Sequence, residues 1–312
     1  MKQAIMAVAL LLSSLNAVSN TLPDSCRWGL VSLCCAHMRS EPRHGSEMIT
    51  QAIMGTPVMI IDQEEEWYHI VTPEGYKGWI HPQSLTPKSH EAMKEWRTSK
   101  RYIYTAMQGY AYLEPSRKSH PMSDLVVGCI VEATGVRTGS FIEIMTPDGR
   151  TGYVKRDEVE ELKRWSKKKP DLQRLEQEAR TMMGVTYLWG GMSTKGADCS
   201  GYTKLLYFSQ GIILLRDASQ QATTGEAVDY THIDNLQRGD LLFFANEQGR
   251  INHVAIYLGD GYYIHSSGRV KVNSMLPDNA LYNEQAIVAA RRIVTSIGSD
   301  GITAVKSHPW YL

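Results

Sequence analysis

At 312 residues the chain exceeds the usual span of a single domain, so two or three domains are expected. Hydrophobic residues make up 43% of it, enough for packed cores, which excludes an extended disordered chain. The 33 basic and 33 acidic side chains cancel, so nothing in the charge balance calls for a nucleic-acid partner.

At the N-terminus, Met1 and Lys2 lead into an apolar run from Ala4 to Leu12 that stays uncharged through Ser19. Such a run is too short to span a bilayer but fits the core of a secretory signal, with small residues at Ala17-Val18-Ser19 for cleavage. Residues 1–19 are therefore expected to be removed on export, leaving a periplasmic or secreted protein without a membrane span. Cys26 follows Pro23-Asp24-Ser25, which lacks the small apolar approach of a lipidation site. Five cysteines in an exported chain leave one unpaired, compatible with a free nucleophile, and no disulfide is required.

A repeat follows. The segment Ile70-Val71-Thr72-Pro73-Glu74-Gly75-Tyr76-Lys77-Gly78-Trp79-Ile80 aligns with Ile144-Met145-Thr146-Pro147-Asp148-Gly149-Arg150-Thr151-Gly152-Tyr153-Val154, and Trp67 aligns with Phe141. Both copies read as short strands around a Pro-acid-Gly turn. The spacing predicts two small all-β barrels, residues 22–87 and 102–162, joined by a polar, helix-favouring connector over 88–101. The basic run Lys163 to Lys169 precedes Pro170 and reads as a solvated linker.

The remaining chain, 163–312, carries the chemistry. Leu172, Leu175 and Ala179 have helical spacing, with Gly184 as a stop. Tyr187-Leu188-Trp189-Gly190-Gly191 is a turn that lets backbone approach a ligand closely. Asp198 suits an N-cap, which sets Cys199 in the first turn of an amphipathic helix bearing Tyr202, Leu205, Leu206 and Phe208. Unpaired N–H groups at such a helix start, with an imidazole nearby, favour thiolate over thiol and can donate to an oxyanion. Leu241 to Phe244, Asn252 to Gly259 and Tyr262 to Ser266 read as strands, the last two joined by Gly259-Asp260-Gly261. That hairpin can bring His253 and His265 together, His253 as general base and His265 as the group orienting it.

The motifs Tyr187 to Gly191, Asp198-Cys199-Ser200-Gly201, Arg216 to Gln221, Gly239 to Phe244 and His253 to Tyr257 resemble, in order and spacing, those of the NlpC/p60-type cysteine peptidases. These are papain-like α+β enzymes that cut peptidoglycan stem peptides. The two upstream repeats resemble bacterial SH3-like domains. The resemblance implies Cys199 as nucleophile, His253 as base, His265 as third member and Tyr187 near the oxyanion site. It further implies a subset in which two SH3-like domains precede the peptidase and the first barrel narrows the cleft. Such enzymes cleave the γ-D-glutamyl–diamino acid bond of free muropeptides with an unblocked L-alanine.

A peptide ammonium needs acceptors to offset its desolvation. Asp198, Ser200 and Ser219 are candidates in the peptidase domain, with Glu47 and Tyr76 from the first barrel and Trp189 as a pocket floor or core residue. The expected partners are peptidoglycan-derived peptides. An endopeptidase acting on intact wall, a wall-binding protein without activity and an amidase or acyltransferase are the other readings. His37, His44, His69, His81, His90, His120, His232 and His308 show no metal-ligand spacing, no Cys-x-x-Cys pair or phosphate loop occurs, and no metal or cofactor is implied.

Overall fold

Two seven-stranded antiparallel sheets precede an α+β region in the computed structural model, which describes residues 27–312. The expected export segment, 1–19, and Cys26 lie outside the described residues. The first sheet comprises β1 (Trp28–Val31), β2 (Cys35–Arg39), β3 (Met48–Ile53), β4 (Pro57–Glu64), β5 (Trp67–Val71), β6 (Lys77–Ile80) and β7 (Leu85–Lys88). After helix α1 (His90–Thr98) the second comprises β8 (Arg101–Tyr104), β9 (Gln108–Tyr112), β10 (Pro121–Val126), β11 (Ile130–Thr138), β12 (Phe141–Met145), β13 (Thr151–Lys155) and β14 (Val159–Glu161). Their spatial orders, β3-β2-β6-β5-β4-β1-β7 and β10-β9-β13-β12-β11-β8-β14, are the same order seven strands apart. The sequence repeat is thus a repeat of topology: β5 and β6 correspond to β12 and β13, with the Pro-acid-Gly turn between them.

The connector α1 starts where Ser89 accepts a hydrogen bond from the Ala92 N–H, and it buries Met93 and Trp96. The basic run is not a solvated linker. Its first turn is helix α2 (Leu162–Trp165), with Leu162 and Trp165 buried, while Arg164 and Lys168 both pair with Glu160. Two apolar side chains a turn apart outweigh the local excess of charge.

The last region contains α3 (Leu172–Thr181), the short ribbon β15 (Met192–Ser193) and β16 (Gly196–Ala197), and α4 (Cys199–Ser209). β17 (Ile212–Leu214), α5 (Ala218–Gln221), β18 (Glu226–Ala227), β19 (Leu241–Ala245), β20 (Ile251–Gly259), β21 (Tyr262–Ser267), β22 (Arg269–Ser274), β23 (Ile287–Arg292) and β24 (Ile302–Ala304) follow. A six-stranded sheet of order β18-β23-β19-β20-β21-β22 packs beside α4, and β17 pairs with β24. The helix is buried along its whole length rather than amphipathic. Its polar residues are satisfied internally: Thr203 donates to Gln221, Ser209 donates to Glu178, and Lys204 pairs with Glu74 of the first barrel.

One hydrophobic core runs through all three regions, from Leu30, Cys34 and Ile53 through Ile103 and Ile130 to Tyr202, Leu205 and Phe208. The barrels also meet directly, the Ile130 N–H donating to the Met54 carbonyl at 2.9 Å. Gly55 (φ 79°) is required there, because a Cβ would sit 2.2 Å from the Ile130 carbonyl oxygen. The first barrel is therefore fixed against the peptidase region by shared core, not strung on a tether. Cys34, Cys35, Cys129 and Cys199 are all free thiols. Among the described residues no helix is long and apolar enough to cross a membrane.

Candidate active site

The turn before α4 and the start of that helix form one hydrogen-bonded unit. Asp198 caps the helix by accepting from the Gly201 N–H at 2.7 Å and also accepts from the Gly190 N–H at 2.9 Å. Gly201 must be glycine, since a Cβ would lie 2.0 Å from the Gly191 carbonyl oxygen. The cap puts Cys199 in the first turn, where the helix leaves N–H groups unpaired.

Asp198 has a partner that sequence reading left without a role. Arg216, 1% exposed, donates to its two carboxylate oxygens at 3.2 and 2.5 Å, to Ser200 Oγ at 2.9 Å and, across the domain boundary, to Thr50 Oγ1 at 2.6 Å. The negative charge expected to serve an incoming ammonium is thus already neutralised. A further carboxylate on the cleft is Asp217, half-buried and unpaired by arginine, with the Tyr76 hydroxyl donating to it at 3.3 Å. Burial raises its pKa above the ordinary carboxylate value, only partly offset by Arg216.

The histidines are joined as the hairpin pattern predicts. Continuing the β20–β21 register, in which Ile256 faces Ile264, sets His265 opposite Ala255 and so on the same face as His253. His253 Nε2 lies 2.6 Å from His265 Nδ1. Beyond them is Asn273 on β22, whose Oδ1 is 2.9 Å from His265 Nε2. The Asn273 amide orientation is fixed because its Nδ2 donates to the Leu281 carbonyl at 2.8 Å. The proton order then follows by elimination. Asn273 Oδ1 can only accept, so His265 Nε2 carries the proton and its Nδ1 accepts from His253 Nε2–H. A neutral His253 is left with its lone pair on Nδ1. Asn273 carries no sequence signal of its own; only the β21–β22 register brings it beside His265.

The electrostatics differ from the sequence expectation of a thiolate. Burial and the Asp198 carboxylate push the Cys199 thiol up to about 11, although the Val254 and Ser200 N–H groups and Arg216 pull the other way. Burial, with His265 and Lys271 nearby, lowers His253 to about 3, and burial lowers His265 to about 4 despite its bond to Asn273. All three shifts run the same way, toward a neutral thiol and neutral imidazoles. In this buried setting desolvation outweighs the helix terminus.

A cleft of about 660 Å³ opens over Cys199. It brings together Tyr187, Trp189, Asp198, Ser200 and Ser219 with Glu47 and Tyr76 of the first barrel, and adds Ile49, Arg216, Asp217 and Asn252. Its size suits a short peptide. Trp189 is a wall and not core: it is 62% exposed, and its Nε1 donates to Glu47 at 2.7 Å. Asn252, the residue before His253, has its carbonyl oxygen 4.0 Å from Cys199 Sγ. Tyr187 is half-buried, and burial with the adjacent Cys199 and Asp198 raises its hydroxyl pKa, so it stays a donor. His308 is buried, and its Nε2 lies 3.1 Å from the Pro73 carbonyl oxygen.

Comparison with known proteins gives a consistent set. Residues 184–292 match the NlpC/P60 family and residues 36–86 match the bacterial SH3 domain. The chain is 30% identical over 261 residues to a γ-D-glutamyl-L-lysine dipeptidyl-peptidase of Bacillus cereus, covering 80% of this chain and 76% of that one. It is 26% identical over 279 residues to dipeptidyl-peptidase 6 of Lysinibacillus sphaericus, covering 86% and 98%. In fold, it is similar to the crystal structure of an NlpC/P60 family protein from Bacillus cereus, with a TM-score of 0.72 at 23% identity over 85% of this chain and 99% of that one.

Proposed function

The chain belongs to the NlpC/P60 family of cysteine peptidases, and on that premise we propose that it is an exported dipeptidyl-peptidase that releases L-Ala-D-Glu from short peptidoglycan-derived peptides by hydrolysing the γ-D-glutamyl–L-diamino acid bond. The observation that carries this reading is the composition of the cleft wall. Glu47 and Tyr76 come from the first barrel and Asp217 from beside α5, so the cleft over the nucleophile presents acceptors of a kind that suits a free ammonium. An intact glycan-linked alanine has a neutral amide there, which offers these groups one N–H and no charge to pair with.

In this reading Cys199 Sγ attacks the γ-carbonyl carbon of D-glutamate as its proton passes to His253 Nδ1. No thiolate need accumulate beforehand, in keeping with the neutral resting pair. The oxyanion is stabilised by N–H groups at the start of α4 and by the Tyr187 hydroxyl. The tetrahedral adduct collapses to a thioester, and His253 returns its proton to the departing amine. Water, deprotonated by the same imidazole, then releases the dipeptide. Before each proton transfer Asn273 and His265 hold the neutral His253 with its lone pair on Nδ1. Ser200 and Ser219 line the substrate side, Asp198 and Arg216 hold the nucleophile's turn, and Trp189 with Glu47 forms the outer wall.

Two matched peptides test the proposal: L-Ala-γ-D-Glu carrying L-lysine or diaminopimelate, and the same with its amine acetylated. Mass spectrometry should find L-Ala-D-Glu only from the free peptide, and Cys199→Ala should lower turnover by at least ~10³-fold. Equal cleavage of both peptides would keep the peptidase and remove the amine-reading pocket, pointing to intact wall as substrate. Undiminished hydrolysis by Cys199→Ala would overturn the chemistry.

A further inference from the structure

Away from the cleft, the first barrel gathers two imidazoles and a carboxylate that the peptidase mechanism does not use. His44, Glu66 and His81 each direct one ligand atom to a common point, all within 4.8 Å of one another. They come from three separate segments, which is why no spacing in the sequence betrays them: the β2–β3 loop, the β4–β5 hairpin and the end of β6.

The group is built rather than scattered. Both imidazoles rest edge-on against the buried indole of Trp67, with centroids 5.0 and 5.1 Å from it and 5.0 Å from each other. The loop carrying His44 is pinned shut: Arg39 Nη1 donates to the Ser46 carbonyl at 2.6 Å, and Ser46 Oγ donates to the Glu41 carbonyl at 2.9 Å. Glu66 ends the acidic run Glu64-Glu65-Glu66 at a hairpin tip where Glu65 adopts a positive φ of 50°. His81 Nε2 and Glu66 Oε1 are 3.4 Å apart. Two ligands on one tetrahedral zinc-like ion lie roughly 3.3 Å apart, given metal–ligand distances near 2.0–2.1 Å.

We propose that His44, Glu66 and His81 form a binding site for a zinc-class divalent cation on the first barrel. Two neutral imidazoles and one carboxylate are a donor set for Zn²⁺ and its first-row neighbours rather than for Mg²⁺ or Ca²⁺, which take oxygen ligands. The three residues leave a fourth position to water. Loading has one local consequence. His81 Nδ1 now accepts from the Gln83 N–H at 3.3 Å, capping the 3₁₀ turn Pro82–Ser84. With Nε2 on a metal the His81 proton sits on Nδ1, and that cap opens. The pinned loop also runs straight into Glu47, so the ion would tether the segment that carries one wall of the cleft.

Zn²⁺ titrated calorimetrically into the Cys199→Ala chain, which removes the catalytic thiol as a competing ligand, tests the site. His44→Ala and Glu66→Gln alter exposed side chains, the first also uncovering one edge of Trp67 and the second leaving every ring contact in place. We expect each to weaken one Zn²⁺ site by at least tenfold, with Mg²⁺ giving no comparable heat. A crystal soaked in Zn²⁺ should show an anomalous peak between the three side chains, and the Gln83 amide should exchange faster with the ion bound. Titrations of both variants that superimpose on that of the parent, or anomalous peaks only elsewhere, would overturn the assignment.

Discussion

The two barrels share every strand and their order, yet the same turn does opposite things in each. In the first, Thr72-Pro73-Glu74-Gly75-Tyr76 is wedged into the peptidase region: Glu74 pairs with Lys204 at 3.1 Å with both side chains buried, His308 meets the Pro73 carbonyl, and Tyr76 reaches Asp217. In the second, Thr146-Pro147-Asp148-Gly149-Arg150 satisfies itself. Asp148 accepts from Thr146 and from Arg150 two residues on, and the turn faces solvent. One backbone motif is thus a structural wedge or a plain hairpin, and the difference lies in what faces it. For a duplicated domain this separates ancestry from role: topology is inherited, and site residues come only from the copy whose Pro-acid-Gly turn is wedged against α4.

The wedge is most sharply tested at its ion pair. Lys204→Met leaves Glu74 as a buried, unpaired carboxylate, which costs on the order of 3–5 kcal/mol. The double variant Lys204→Met/Glu74→Leu should recover most of that loss, since replacing a whole buried pair by apolar groups is close to neutral. Arg150→Met in the second turn breaks an exposed pair worth about 0–1 kcal/mol. Urea unfolding of the four proteins checks the contrast. Similar costs at both turns would mean that the wedge holds nothing.

Acid should divide the halves next. His253 and His265 have folded pKa values of about 3 and about 4, below the ordinary 6.5. Between pH 6.5 and those values the unfolded chain binds protons that the folded chain does not, so stability falls as pH falls. From pH 7 to pH 5 the loss from His265 alone is about 2 kcal/mol, before most carboxylates titrate. Within residues 102–162 the one histidine is the exposed His120, so the second barrel buries no imidazole. Hydrogen exchange at pH 7 and pH 5 should show protection falling in β20 and β21 while β11 and β12 keep theirs. His265→Gln should flatten the pH dependence.

Much of this was legible in the sequence, for physical reasons that also mark where legibility stops. The repeat, the capped cysteine and the paired histidines depend on local spacing and on hairpin register, both written along the chain. The burial of α4 on all sides was not, because Lys204, Thr203 and Ser209 look like a solvated face until their partners from distant segments are known. Asn273 and Arg216 act through pairing across strands and across the domain boundary, which no spacing encodes. The pull toward thiolate expected at the helix start is opposed for a related reason. A helix start can be read from sequence, but the desolvation that overrides it depends on the whole surrounding structure.

The finest distinction between the two turns is one hydroxyl. Tyr76 and Arg150 occupy equivalent positions, and only Tyr76 touches the cleft. Tyr76→Phe keeps the ring and removes the donor to Asp217, a bond worth about 0.5–1.5 kcal/mol net. If that pair reads the substrate ammonium, KM for the free peptide rises by roughly two- to tenfold with kcat unchanged. Arg150→Ala should leave both constants alone. A fall in kcat with KM intact would instead assign Tyr76 to the reacting centre, and the first barrel would then take part in the chemistry rather than in selection of the substrate.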